Sequence, residues 1–292
     1  MPAPVVVASD LSTHATEALQ YALRFRPAPV TLYHVHDVSH PEPYGITLDQ
    51  AYQAMNEGTT RPHVDAALAR AVDGLEGVEV VWHSAIRPVD AICRFAREAG
   101  AQLIVVGTHG LTGFRRAVLG SVAEAVVREA PCPVLAVPLD ETDPWSARPT
   151  RRVLAAVDLW GGGEDAGGAE AVAGEAARVA DIVGAEPPML LHVEDGSVPA
   201  LAREVAAGPV RLEATERVTA ALAERYGDVR TAKGHAAPTI VERAAALNAD
   251  LVAVGTGQRK GAAKVLGSVA ARVLRTARRP VLVVPTPSAS ER

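Results

Sequence analysis

The chain has 292 residues, a length that accommodates about two domains, and its 48% hydrophobic and 22% charged content is typical of a globular protein. A net charge of −5 excludes a general nucleic-acid binder, which would carry a basic excess. The two cysteines form no CxxC or Cys/His metal pattern, and we find neither a secretory leader nor an apolar run of the ~20 residues that a bilayer requires. These features predict a cytoplasmic protein with no nucleic-acid or membrane partner.

The first half alternates short β-branched runs with amphipathic segments. Helices are predicted after Ser12, near His63, at Pro88 and at Ser121, and residues 37–62 form a long polar connection of the kind that often covers a site. This alternation predicts a doubly wound α/β domain, in which a parallel sheet carries helices on both faces. The predicted strands are Val5–Ala8, Val30–Val35, Val78–Trp82, Leu103–Val106 and Val134–Val137.

The same order of elements then repeats at an offset of about 148 residues. Val153–Asp158 repeats Val5–Asp10, Leu251–Thr256 repeats Leu103–Thr108, and other elements recur in the same order. Coincidence does not produce such an ordered series, so the chain is a duplicated domain. We predict a first domain at residues 1–140, a linker at 141–150 and a second domain at 151–287.

A glycine-rich stretch follows the fourth predicted strand and leads into a helix. Gly107, Gly110, Gly113 and Gly120 allow unusual backbone angles and close approach of a ligand. Ser121 with Glu124 matches a capping box, which predicts a helix start at that point, and helix starts favour phosphate. The stretch is compatible with a nucleotide-phosphate site or with an ordinary strand-to-helix connection.

Familiar catalytic signatures are absent from the sequence. No lysine precedes Ser121 or Ser268, which excludes a Walker A loop, and the glycines from Gly255 to Gly261 miss the GxGxxG spacing by one residue. GxSxG and HExxH motifs are also missing. The sequence therefore gives no ordinary route to a hydrolase or a nicotinamide enzyme.

Ligands of doubly wound sheets bind beyond the carboxyl ends of the strands. Asp10 ends the first strand, Val35 lies near the end of the second and Gly107 ends the fourth, so we expect these residues to share one crevice. Asp10 is suited to a ribose hydroxyl or a base amine, and the alternative is an aspartate that caps the following helix.

The spacing Gly107-x2-Gly110-x9-Gly120-Ser121 resembles the ATP-binding pattern of the universal stress protein family, and Asp10-Leu11-Ser12 and Pro131-Cys132-Pro133 are similar to that family as well. The resemblance covers nearly the whole chain twice. It implies two domains with the adenine nucleotide α-hydrolase-like fold, strand order 3-2-1-4-5. It also implies a pseudo-dimer within the chain through Val134–Val137 and Val281–Val284, or a homodimer. The ligand implied is ATP, with any Mg²⁺ carried by the nucleotide. The implied nucleotide-binding residues are Ala8, Ser9, Asp10, Val35, Val106, Gly107, His109, Gly110, Gly113, Gly120, Ser121 and Val122.

The second half departs from the pattern in its glycine loop. Gln258 replaces the second glycine, and the loop is one residue shorter, although Arg259, Lys260 and Lys264 add positive charge. A second nucleotide site is therefore predicted as a degenerate one. Its candidate residues are Asp158, Val193, Gly255, Gly257, Gly267, Ser268 and Val269.

Histidines near both parts of the predicted site allow other chemistry. His34, His36, Asp37 and His40 contain the side chains of a metal site, but a strand-end histidine with solvated neighbours explains them better, so no metal is predicted. His109 has no orienting carboxylate in the sequence, so a polar loop contact is favoured over general acid–base chemistry. No catalytic residue is predicted.

These observations predict an ATP-binding universal stress protein that acts as a cytoplasmic stress-response regulator or nucleotide sensor. One alternative is a slow ATPase, with Ser121, His109 and a nucleotide-borne Mg²⁺ around the phosphates. Another is a dimerisation scaffold that binds no nucleotide and associates through its fifth strands.

Overall fold

The computed structural model describes residues 3–37, 60–108, 120–140, 143–159, 167–194, 200–257 and 266–286. The chain divides into two compact units, residues 1–148 and residues 149–292. Within the described ranges, no helix combines the length and the apolar character needed to cross a membrane. Most of the 37–62 connection, in which the sequence also allows a helix near residues 48–55, lies outside these ranges.

The sheet of the first unit has the strand order β3-β2-β1-β4-β5, and its pairings are parallel, as predicted. Two strands run further than the apolar pattern indicated, because residues 35–37 of β2 pair with residues 83–85 of β3 at the sheet edge. The strands are β1 (Val5–Ser9), β2 (Val30–Asp37), β3 (Val78–Ala85), β4 (Leu103–Gly107) and β5 (Val134–Val137).

Helices follow the strands of the first unit at the predicted places. Ser12 caps α1 by accepting a hydrogen bond from Ala15 N at 3.3 Å, and Pro88 occupies the first turn of α3. The alanine and leucine face of α1 is fully buried against the sheet, for example at Ala18 and Leu19. The helices are α1 (Thr13–Ala22), α2 (Thr60–Ala71), α3 (Pro88–Glu98) and α4 (Ser121–Glu129).

The second unit repeats this architecture, with parallel pairing in the order β8-β7-β6-β9-β10. Its strands are β6 (Val153–Ala156), β7 (Met189–Glu194), β8 (Val229–Lys233), β9 (Leu251–Gly255) and β10 (Val281–Val284). Its helices are α5 (Gly167–Val183), α6 (Ala200–Tyr226), α7 (Ala236–Ala246) and α8 (Ser268–Thr276).

Residues 143–148, which the sequence analysis placed in a linker, pack against α1 of the first unit. The buried carboxylate of Glu17 accepts hydrogen bonds from Ser146 N and Ser146 Oγ, both at 2.7 Å. Arg24 donates to the carbonyl oxygens of Trp145 at 3.0 Å and Ser146 at 2.6 Å. The Trp145 ring is 8% exposed and lies under the guanidinium of Arg148. These contacts make the segment an ordered extension of the first unit.

Replacement of Trp145 by alanine should lower the free energy of unfolding of the first unit by about 3 kcal/mol, because it removes a large buried ring and leaves a cavity. Urea denaturation of the full chain, followed by circular dichroism, measures this loss. Trp82→Ala is the matched control, because Trp82 is only half-buried on the edge strand β3. Equal losses in the two variants would contradict a structural role for residues 143–148.

Candidate functional site

The turn between β1 and α1 is held by its own side chains. Ser9 Oγ accepts a hydrogen bond from Leu11 N at 3.0 Å, and Asp10 Oδ1 accepts one from Ser12 N at 3.0 Å. Leu11 has a φ of 64°, a left-handed conformation that is costly for leucine and needs such support. Asp10 therefore supports the turn through one oxygen. It lies half-buried at the carboxyl end of β1, as predicted.

The sheet register brings the other predicted strand ends beside this turn. Ala8 pairs with Val106 of β4, and Ser9 pairs with His34 of β2, so Val35 follows directly after a neighbour of Ser9. These residues occupy one edge of the first sheet, where the crevice of a doubly wound fold lies.

Gly107, which ends β4, is required by the packing of α1. A Cβ atom at this position would lie 2.8 Å from the carbonyl carbon and oxygen of His14, closer than such contacts occur. The sequence interpretation assigned the absence of a side chain at Gly107 to close approach of phosphate. The structure gives it a packing role.

The ends of the glycine-rich stretch meet beside the end of β4. Thr108 N donates to Val137 O at 3.2 Å, and Gly120 N donates to Thr108 O at 2.8 Å. The helix α4 therefore begins next to the point where β4 ends. His109, Gly110 and Gly113, which were predicted to contact phosphate, lie outside the described residues.

The capping box predicted at Ser121 is wrong. Gly120 is the N-cap of α4 and Ser121 is its first helical residue, so the N-cap position supplies no side chain to the first turn. Ser121 and Val122 are both exposed there. Because glycine has no side chain to accept from the first-turn amides, those amides are suited to an anionic ligand.

In the second unit, the same two hydrogen bonds join the end of the fourth strand to the start of the next helix, with nearly the same distances. We call this arrangement, present in both units, the strand-to-helix frame. Gly267 N donates to Thr256 O at 2.7 Å, and Thr256 N donates to Val284 O at 2.9 Å. Gly267 is the N-cap of α8 and again supplies no capping side chain. Gly257 has a φ of 86°, which favours glycine at this position. Gln258, Arg259, Lys260 and Lys264 lie outside the described residues.

A cavity of about 400 Å³ lies in the second unit beside this frame. The lining combines apolar side chains with polar groups, among them Asp158, His192, Thr215, Thr256, Ser268 and Thr286. This volume and composition are typical of a small-molecule site. The residues predicted for the second site all line the cavity: Asp158, Val193, Gly255, Gly257, Gly267, Ser268 and Val269.

Sequence reasoning missed the helical walls of this cavity. Ala214, Thr215 and Val218 of α6 line it, as do Ala169 of α5 and Ala236 of α7. Residues 214 and 218 share a helix face, so the spacing alone suggests one wall of α6. The alanines resemble ordinary core positions in the sequence, and their contribution is the space that they leave.

In each unit, a buried histidine lies beside the turn that follows the first strand, β1 or β6. His34 Nδ1 lies 2.8 Å from Ser9 O, and His192 Nδ1 lies 3.1 Å from Val157 O, in the corresponding place. His36, also buried, lies further along β2. Burial lowers the pKa of His34 and the pKa of His36, because the protonated ring loses its hydration. Within the part of the chain that the structure describes, no three His, Cys, Asp or Glu side chains group as metal ligands.

Lowered histidine pKa values predict a loss of stability in mild acid. The unfolded chain takes up protons near pH 6.5 while the folded ring of His34 stays neutral, so stability falls as the pH drops from about 6.5 to the folded pKa. Urea denaturation between about pH 7.5 and pH 5.5 measures the slope. His34→Asn should reduce this slope. A slope that His34→Asn leaves unchanged would contradict the assignment.

The fold and the strand-to-helix frame define a class of protein: a duplicated, doubly wound α/β protein with a candidate site at the carboxyl ends of its strands. Comparison with known proteins then identifies the family. A model of the universal stress protein family matches residues 1–138 and again residues 149–285. The chain therefore belongs to the universal stress protein family and contains two of its domains in tandem, as the sequence resemblance predicted.

Individual relatives agree with this assignment. A universal stress protein of Mycolicibacterium smegmatis is 30% identical over 303 residues, which cover 96% of this chain and 96% of that protein. Universal stress protein MJ0531 of Methanocaldococcus jannaschii is 34% identical over 140 residues, which cover 46% of this chain and 80% of the relative.

Solved structures share the fold along almost the whole chain. A universal stress protein from Archaeoglobus fulgidus has a TM-score of 0.61 at 22% identity and covers 97% of this chain and 96% of its own. A functionally unknown protein, PA1789 from Pseudomonas aeruginosa, has a TM-score of 0.65 at 20% identity, with coverage of 97% and 92%. At these identities the likeness concerns the fold alone.

Proposed function

We propose that the chain binds ATP at the strand ends of its first unit and acts as a regulator or nucleotide sensor in a stress response. The observation that carries this proposal is the start of α4, where Gly120 N donates to Thr108 O at 2.8 Å. That bond sets the uncapped first-turn amides beside the end of β4. Backbone N–H groups and the positive end of a helix dipole together favour phosphate oxygens.

The neighbouring strand ends supply groups for the rest of a nucleotide. Ala8 and Val35 offer apolar contact to a base, and Asp10 offers a carboxylate oxygen to a ribose hydroxyl or a base amine. Ser121 and Val122 lie where the phosphates would meet the helix. The family resemblance adds His109, Gly110 and Gly113 as phosphate contacts. Any Mg²⁺ is proposed to arrive with the nucleotide, as a counter-ion to its phosphates.

The proposal extends to the second unit. The cavity there has the volume and the lining of a ligand site, and its polar groups include Asp158 and Ser268. Gly267 repeats the hydrogen bond of Gly120, which supports an anion-binding helix start in this unit as well. The altered sequence around Gln258 is the reason to measure this site separately.

Two further parts of the proposal concern assembly and place of action. Val134–Val137 and Val281–Val284 are proposed to pair, within one chain or between two chains, because pairing removes exposed strand edges. The protein is proposed to work in the cytoplasm. Both statements rest on the family resemblance and on composition.

Ligand identification on the freshly purified protein tests the proposal. Nucleotide is extracted and identified by mass spectrometry. The ratio of its molar concentration to that of the protein gives the number of nucleotides per chain. Two adenine nucleotides per chain would support both sites. One nucleotide per chain would support a single site, and substitutions at Ser121 and Ser268 would show which unit holds it. Protein that carries no nucleotide and gives no heat when titrated with ATP would overturn the proposal and leave the scaffold alternative. Recovery of ADP would call for a phosphate-release assay, with Gly120→Val as the inactive reference.

A further inference from the structure

The two units share a contact between a buried histidine ring and the carbonyl at the end of the neighbouring strand. In the first unit, the ring of His34 on β2 is 2% exposed and places Nδ1 2.8 Å from the carbonyl oxygen of Ser9. In the second unit, His192 on β7 is 4% exposed and places Nδ1 3.1 Å from the carbonyl oxygen of Val157. Each carbonyl belongs to the residue that precedes the site aspartate, Asp10 or Asp158.

The peptide bond explains why this carbonyl matters for the site. The carbonyl of Ser9 and the N–H of Asp10 belong to one planar group and point in opposite directions. A ring N–H that fixes the carbonyl therefore also fixes the direction of the aspartate N–H. It thereby fixes the orientation of the first peptide group of the turn that carries Asp10. The same holds for the peptide group between Val157 and Asp158.

The turn depends on the ring more strongly in the second unit. In the first unit, the Ser9 hydroxyl accepts the hydrogen bond from Leu11 N at 3.0 Å. Val157 has no hydroxyl that could do the same for Leu159 N. Leu159 N lies 3.4 Å from His192 Nδ1, but a ring nitrogen that donates to Val157 O cannot also accept from Leu159 N, so the ring holds this turn through the carbonyl alone. It also lines the cavity of that unit.

Stability alone does not account for a histidine at position 192. Its Nε2 atom is buried and has no hydrogen-bond partner among the described residues. A buried ring nitrogen without a partner costs free energy, so an apolar side chain of similar size should be tolerated or preferred if packing were the purpose. The contact that the ring does make is the one to the turn.

We infer that His34 and His192 are positioning residues, each of which orients the strand-end turn of its own unit for ligand binding. This inference rests on the proposed function, and it adds that the two sites are tuned independently by equivalent side chains. The ring acts through the turn and needs no contact with the ligand.

Leucine and asparagine variants at both positions test the inference in the full chain. Leucine removes the donor, whereas the side-chain amide of asparagine restores an N–H near the place of Nδ1. Calorimetric titration with ATP should show about tenfold weaker binding at the second site for His192→Leu and recovery for His192→Asn, with the first site unchanged. His34→Leu and His34→Asn should give the same pattern at the first site, with a smaller loss because the Ser9 hydroxyl still supports that turn.

Two further readouts separate positioning from general stability and from the proposed function. The thermal midpoint of ligand-free His192→Leu should stay well above the temperature of the titration, so that weaker binding reflects the folded protein. Amide hydrogen exchange at residues 10–12 and 158–159 of the ligand-free protein should rise in the leucine variants and return in the asparagine variants. Exchange and ATP affinity that stay the same in all variants would overturn the inference. A parent protein that does not bind ATP would overturn the proposed function, and the exchange measurement would still decide the role of the rings.

Discussion

Ser121→Glu should weaken ATP binding at the first site roughly 30-fold, about 2 kcal/mol, because it places a carboxylate where the phosphates are proposed to lie. Ser121 is the exposed first residue of α4, and an acidic side chain at a helix start stabilises the helix by ~0.5 kcal/mol. The substitution therefore separates binding from folding: affinity should fall while the thermal midpoint stays or rises. Calorimetric titration and thermal denaturation of the same samples measure both quantities.

The duplicated chain provides its own controls for this substitution. Ser121→Gln introduces a side chain of nearly the same size as glutamate but without its charge. Ser268→Glu makes the equivalent change at the exposed start of α8. We expect Ser121→Gln to bind nearly as the parent does, and each glutamate to affect only the site of its own unit. Equal weakening by glutamine and glutamate would show that the hydroxyl or the space matters rather than the charge. Unchanged affinity in both glutamate variants would exclude phosphate from the helix starts.

The strands could be predicted because they depend on local apolar runs, whereas their order came from the family resemblance. Residues such as Val5 and Leu103 are buried whatever ligand the protein binds, and a parallel strand buried on both faces has a recognisable composition. The pattern was less informative at the sheet edge. There, β3 continues to Ala85 with half-exposed or exposed residues, since backbone pairing with β2 sets its length.

Other features depended on packing that sequence spacing does not encode. The capping box at Ser121 and Glu124 was plausible by pattern, but the backbone bond between Gly120 and Thr108 sets where α4 begins. Residues 143–148 looked like a linker because they are polar and contain proline, yet the buried carboxylate of Glu17 holds Ser146 against α1. Both cases involve partners more than ten residues away, which local composition cannot identify.

The second unit combines an altered glycine motif with a well-formed cavity. Its glycine pattern is altered at Gln258, and by the motif alone it is the weaker of the two. Its strand-to-helix frame nevertheless matches the first unit, and small side chains on three helices leave a cavity beside that frame. A site of this kind depends on backbone geometry and on empty volume. Neither of these produces a recognisable sequence motif.

Gly107→Ala should lower the free energy of unfolding of the first unit by about 3 kcal/mol, because the added Cβ meets the backbone of His14 at 2.8 Å and α1 must shift. At the equivalent position in the second unit, a Cβ on Gly255 meets the end methyl groups of Thr286 and Val172 at 2.7 and 3.2 Å. Side-chain ends can rotate away, so Gly255→Ala should cost about 1 kcal/mol or less. Urea denaturation of each variant of the full chain measures the difference.

This comparison decides why a glycine ends the fourth strand of the first unit. If phosphate approach required it, Gly107→Ala would lose ATP affinity while keeping its stability. If helix packing requires it, Gly107→Ala lowers the free energy of unfolding directly. ATP affinity then falls only to the extent that the shift of α1 disturbs the turn at Asp10. Gly100→Ala is a backbone control, since Gly100 has a φ of 63° with open space around its Cβ, and its cost of about 1 kcal/mol reflects conformational strain alone. A Gly107→Ala variant no less stable than Gly100→Ala would contradict the packing explanation and restore the phosphate one.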